Sequence, residues 1–85
     1  MQVLIPTSLR SYTRVPRVRA QGATLAELLA DLERQFPGIR FRMVDERQQL
    51  RPHMRVFVNG QAVHQLAHAL QADDDVAIVQ ALSGG

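Results

Sequence analysis

Apolar and polar positions change period several times along the chain, and each change predicts an element. Gln2-Val-Leu-Ile-Pro6 is a short apolar run closed by proline and reads as a strand. Thr7 to Arg14 is polar and turn-like. Around Pro16, Val15, Val18 and Ala20 interleave with Arg17 and Arg19, which predicts a second strand over 15–20. Leu25, Leu28, Leu29, Leu32 and Phe36 then recur at i, i+3, i+4, i+7 and i+11, one apolar stripe of an amphipathic helix. Thr24-Leu25-Ala26-Glu27 reads as its capping box: the Thr24 hydroxyl accepts from the Glu27 N–H, and the Glu27 carboxylate accepts from the Thr24 N–H. Pro37-Gly38 closes the helix. Ile39 to His53 shows no clear period and is expected to be a long loop with one short turn. Arg55-Val-Phe-Val58 alternates as a strand. Asn59-Gly60 is a strong two-residue hairpin signal, because both positions tolerate positive φ. Gln61-Ala-Val63 is the return strand, and Gln65 to Leu70 is expected to form one helical turn. Asp73-Asp74-Asp75 reads as a solvated turn before the last strand, Val76-Ala-Ile-Val79.

The order strand, strand, helix, hairpin, strand has one economical solution. Helix and sheet bury their apolar faces on each other as an α+β two-layer sandwich. With one main helix and a mixed sheet whose first and last strands lie side by side at its centre, this is a β-grasp fold. Residues 1–81 form the domain, and 82–85 form a flexible C-terminal Gly-Gly tail.

Composition narrows the chemistry. Eighty-five residues make one domain with a thin core and little room for a deep pocket. With no cysteine there is no disulfide, no thiol nucleophile and no cysteine-ligated metal. No leader pattern or long apolar run is evident, so a cytoplasmic location without membrane contact is expected. The formal charge is only +2. All basic side chains are arginine, spread among the acids with few aromatics between them, which argues against nucleic acid.

The candidate chemistry sits at the end of the chain. Two glycines follow Leu82-Ser83 directly after a strand. Without side chains, the Gly85 carboxylate is sterically open, and the backbone can thread a channel that any Cβ would block. An enzyme can then adenylate that carboxylate with ATP and replace AMP with a nucleophile. Gly84 and Ser83 supply slack, and Leu82 anchors the tail in a partner groove.

Four stretches resemble the ubiquitin-like sulfur-carrier family. They are Ile5-Pro6-Thr7 with Leu9-Arg10, Thr24-Leu25 with Leu28-Leu29-Leu32, Val56-Phe57-Val58-Asn59-Gly60, and Ala72 to Ile78 leading to Ser83-Gly84-Gly85. The opening is similar to the carriers of cysteine biosynthesis. Two positions depart from the pattern: Asp74 stands where glycine is common, and Gln80-Ala81 stands where proline is common. The resemblance implies a carrier that is not itself an enzyme and binds no cofactor. A ubiquitin-activating-like adenylyltransferase uses ATP to form an acyl-adenylate on Gly85. A sulfur donor such as a rhodanese-type protein converts it to a thiocarboxylate, and a downstream enzyme accepts the sulfur. The acceptor pathway stays open among cysteine precursors, thiamin thiazole, molybdopterin and secondary metabolites, with a tilt to the cysteine type. Two other readings remain: a ubiquitin-like modifier forming isopeptide conjugates, and a β-grasp domain that only binds.

Other candidates weigh less. Alternation places Phe57 on the outer sheet face beside Ala77 and Val79, an apolar patch suited to a partner. His64 and His68 have metal-ligand spacing for a helix but lack a third ligand, and are read as surface residues. The adjacent acids Asp73-Asp74-Asp75 do not converge on one centre. Ser83 has no recognisable base to activate it.

Overall fold

A computed structural model describes residues 1–81. Its strands are β1 (Gln2–Leu4), β2 (Arg17–Arg19), β3 (Met54–Val58), β4 (Gln61–Val63) and β5 (Asp75–Gln80). Its α-helices are α1 (Arg10–Thr13), α2 (Leu25–Gln35) and α3 (Ile39–Met43). The sheet order is β2-β1-β5-β3-β4, with β1 and β5 parallel and the other pairs antiparallel. The first and last strands therefore pair at the centre of the sheet, as the β-grasp reading requires.

Alternation along the strands builds one buried face. Val3, Val56, Val58, Val63, Val76 and Ile78 all point inward. Helix α2 lies against that face and buries Leu25, Leu28, Leu29 and Leu32 completely. Phe36 is only partly buried at the end of the stripe.

The start of α2 shows how its free backbone N–H groups are satisfied. Thr24 Oγ1 accepts from Glu27 N at 3.3 Å, and Thr24 O accepts from Leu28 N at 3.0 Å. The returning Glu27 carboxylate accepts from Ala23 N at 3.2 Å, one residue before the Thr24 N–H expected from the capping box. The two remaining donors, Leu25 N and Ala26 N, reach the carbonyls of His68 and Leu66. The 65–70 segment is thus a cap for α2 and not a helical turn: its backbone carbonyls face the helix, and it holds a single tight turn, His68 N to Gln65 O, at 3.1 Å. Just before this helix, Gly22 approaches so closely that a Cβ there would lie 2.4 Å from Leu28 N.

Two segments read as irregular are ordered. Thr7–Leu9 is a 3-10 turn running into α1, with Leu9 buried, and the second strand is shorter than expected because Val15 and Pro16 precede it in a bend. In the 39–53 stretch, 44–53 is irregular chain with turns, and the five-residue helix α3 stands at the start where a short turn was expected. Its N-terminal N–H groups are capped from another element: Glu33 of α2 accepts from Gly38 N at 2.9 Å and from Arg40 N at 3.0 Å. Those backbone donors hold the Glu33 carboxyl below its ordinary range. Ile39 and Met43 fill the core from one side of the short helix. Asp45 then tightens the following turn by accepting from Arg47 N and Gln49 N.

Candidate functional site: the outer sheet face and the exit of β5

The strand register brings the candidate patch together. Phe57 pairs directly with Ala77, and Ala77 on its other side with Leu4. Ala62 faces Phe57 from the edge strand. Leu4, Ala77, Phe57 and Ala62 therefore form one apolar row across four strands on the face away from α2. Phe57 and Ala77 are half-buried, while Val79, one step further along the same face of β5, is 39% exposed. Gln2, Asp75 and Arg55 border the row through the same pairings. The sequence reading missed Leu4 and Ala62, because only the register shows that they continue the row.

At the far end of β5 the chain is fastened on both sides. Ala81 N donates to His53 O at 2.8 Å, and the Ser8 hydroxyl donates to the Gln80 side chain. The root of residues 82–85 is thus a fixed point of the domain. Leu82, Ser83, Gly84 and Gly85 themselves lie outside the described residues.

The opposite end of β5 corrects one expectation. Asp74 is buried and not part of a freely solvated turn. Its carboxylate accepts from Gln71 N at 2.7 Å and from Asn59 Nδ2 at 2.9 Å. The first of these bonds, helped by the second, lowers its pKa below the ordinary value. Asn59, at φ 51°, also accepts from Asp75 N through its side chain and donates its own N–H to Asp75 O. Asp74 and Asn59 together tie the hairpin to the turn before β5. This function accounts for an acid at a position where the resemblance expects glycine.

His64 and His68 are exposed and lie on irregular chain, so helical ligand spacing does not apply to them. Among the described residues, no three His, Cys, Asp or Glu side chains are grouped to hold a metal. No helix among them is long and apolar enough to cross a membrane.

The arrangement so far is a ubiquitin-like sheet with an apolar outer row and a fixed exit for the last four residues. A model of the ThiS family matches residues 3–85, which takes in that final segment. The chain belongs to the ThiS family. Among its ThiS-family relatives, the sulfur carrier protein CysO of Mycobacterium tuberculosis and that of Mycobacterium bovis are each 36% identical over 89 residues. The match spans 98% of this chain and 96% of each relative. Among solved structures, the BexX/CysO complex of Amycolatopsis orientalis contains a chain that superposes with a TM-score of 0.91 at 35% identity, covering 99% of this chain and 98% of that one. Small archaeal modifier protein 1 of Haloferax volcanii superposes with a TM-score of 0.80 at 28% identity, covering 100% of this chain and 98% of that one.

Proposed function

We infer that this ThiS-family chain is a sulfur carrier whose cargo is borne on Gly85. The observation that carries the reading is the family match through Ser83-Gly84-Gly85, on a fold that superposes on a CysO chain. The chain supplies a substrate group and is not itself the enzyme. Its carboxylate is a poor acyl donor, because the oxygen that must leave is strongly basic. Transfer of AMP from ATP by a ubiquitin-activating-like adenylyltransferase turns that oxygen into a good leaving group and releases pyrophosphate. The persulfide of a rhodanese-type donor then displaces AMP to form an acyl disulfide, and a thiol cleaves that S–S bond, leaving the thiocarboxylate on Gly85 and a disulfide on the donor side. ATP belongs to the partner's site, and the carrier holds no cofactor. Names such as CysO among the relatives support a downstream acceptor in cysteine-type or related biosynthesis. The work of a carrier in contact with soluble biosynthetic enzymes fits the cytoplasm.

Gly84 and Ser83 keep the tail slim, Leu82 seats it, and the fixed end of β5 sets where it starts. The Phe57, Ala77 and Val79 patch docks the activating enzyme away from the reacting atom. Deleting Gly85, or adding residues beyond it, abolishes pyrophosphate release with a cognate adenylyltransferase while the domain stays folded. Wild-type chain with that enzyme, ATP and a sulfur donor gains about 16 Da by intact mass, oxygen being replaced by sulfur at the activated acyl group. Normal pyrophosphate release without Gly85, or failure to gain that mass with a competent donor, overturns the assignment.

The likeness to small archaeal modifier protein 1 favours a second reading, conjugation to other proteins. Intact activation that yields larger conjugates instead of the thiocarboxylate selects it.

A further inference from the structure

Beside the exit of β5 is a cleft of about 350 Å³ lined by Leu9, Phe41, Arg42, Arg51, His53 and Gln80. Among the described residues, no carboxylate lines it. Five of the ten arginines fall between Arg40 and Arg55, and the fold directs two of them here. Asp45, an acid in the same stretch, is engaged by backbone N–H groups of its own turn. Arg51 is held in place: its Nε donates to Phe41 O at 2.8 Å, and its guanidinium carbon lies 4.6 Å from the centre of the Phe41 ring. Among the described residues, the ion pair found is Arg34–Asp31 on α2, so neither Arg42 nor Arg51 has a carboxylate partner there. Phe41 is 61% exposed, the most of any large apolar side chain described. A fixed guanidinium needs little further ordering to bind a carboxylate in a two-pronged geometry.

The position of the cleft decides its occupant. Its wall includes Gln80, and His53 O holds Ala81 N, so it adjoins the root of the tail. Four extended residues reach about 14 Å at most. A partner that draws Gly85 into its catalytic channel therefore brings the mouth of that channel within about 14 Å of Ala81, in reach of this cleft.

We propose that the Phe41–Arg42–Arg51–His53 cleft is a second docking point, one that takes an acidic segment of the partner protein at the mouth of the channel receiving the tail. The placement of that segment rests on the carrier reading. The charge of the cleft and its preordered arginine do not. Carboxylates of the partner meet Arg51 and Arg42, and an apolar side chain covers Phe41. This point differs from the Phe57 row in position and chemistry: the row is an apolar sheet face, and the cleft is cationic.

The test uses the full chain, isotope-labelled, titrated with a capped Glu-Glu-Phe-Glu-Glu peptide and followed by amide NMR shifts. Saturable shifts are expected at residues 41, 42, 51, 53 and 80, fading as salt approaches about 1 M, where the screening length falls to about 3 Å. Arg51→Gln weakens binding roughly tenfold through loss of a charge-assisted pair. Arg19→Gln on edge strand β2 removes the same charge elsewhere and leaves binding unchanged. Phe41→Ser, at an exposed position, also weakens binding and guards against a folding defect in the Arg51 variant. Equal loss in Arg19→Gln, or no saturable shifts, overturns the proposal. So do matching saturable shifts from inorganic phosphate at the same ionic strength, which mark a simple anion site instead. In pyrophosphate release, Arg51→Gln raises the KM for the carrier with kcat unchanged, and an equal loss in kcat overturns the docking role. The titration involves neither ATP nor Gly85, so its failure leaves the carrier reading standing. Failure of activation by wild-type chain leaves the titration intact.

Discussion

Leu32→Ala tests whether the buried face of α2 is what holds the domain together. Leu32 is fully buried on the stripe of α2 that covers the sheet. Truncation to alanine removes apolar burial worth roughly 2.5 kcal/mol at about 0.8 per carbon group. The cavity left in a close-packed core adds to this, for a total of about 2–5 kcal/mol. A domain of this size has a stability of about 4–12 kcal/mol. The loss is therefore a large share of what holds it folded. With a urea slope of about 1–2 kcal/mol per molar, the denaturation midpoint falls by roughly 2 M. Arg34→Ala on the outward face of the same helix is the control. Its side chain is 70% exposed, and its solvent-screened pair with Asp31 contributes little to stability. Coincident midpoints for the two variants would show that the buried face of α2 has been misplaced.

Three further outcomes follow from local contacts. Thr24→Ala removes the side-chain acceptor for Glu27 N and costs about 1 kcal/mol in the same denaturation assay, and no change there would mean that the 65–70 segment alone caps the helix. Gly22→Ala forces a Cβ to within 2.4 Å of backbone and lowers stability by about 1–3 kcal/mol or more, and a variant as stable as wild type would refute the close approach. Asp74 has a folded pKa below its ordinary 3.8, so its contribution is present above that value and is lost as the pH falls through the lower folded value. Asp74→Asn should therefore flatten the acid limb of a stability-versus-pH curve below 3.8, and an unchanged limb would show that the clasp with Asn59 and Gln71 contributes nothing.

What could be read in advance was whatever repeats along the chain. The α2 stripe, the alternation around Phe57 and the Asn59-Gly60 turn are local patterns, and each element formed where its period placed it. Helix α3 was not legible in that way. It is five residues long, and Glu33 caps it across space from α2. The apolar pair Ile39 and Met43, spaced four apart, was the one signal available for it. Asp74 was misread for a related reason: three adjacent acids look like solvated polar chain, and only the fold brings Asn59 to the middle one. In the candidate site, residues of the outer row on β3 and β5 were recognisable by alternation. Leu4 and Ala62 needed the strand register, and the Arg51–Phe41 cleft needed tertiary contacts between residues ten positions apart.

The placement of β5 also has a mechanical consequence. It is flanked by β1 on one side and β3 on the other, and its hydrogen bonds run across the strand. A force applied at Ala81 along the strand axis loads both ladders sideways and shares itself among many bonds at once. An edge strand peeled from its end would instead yield one bond at a time. A load applied along β5 at Ala81 therefore leaves the sheet in register, where the same load on an edge strand would open it from one end.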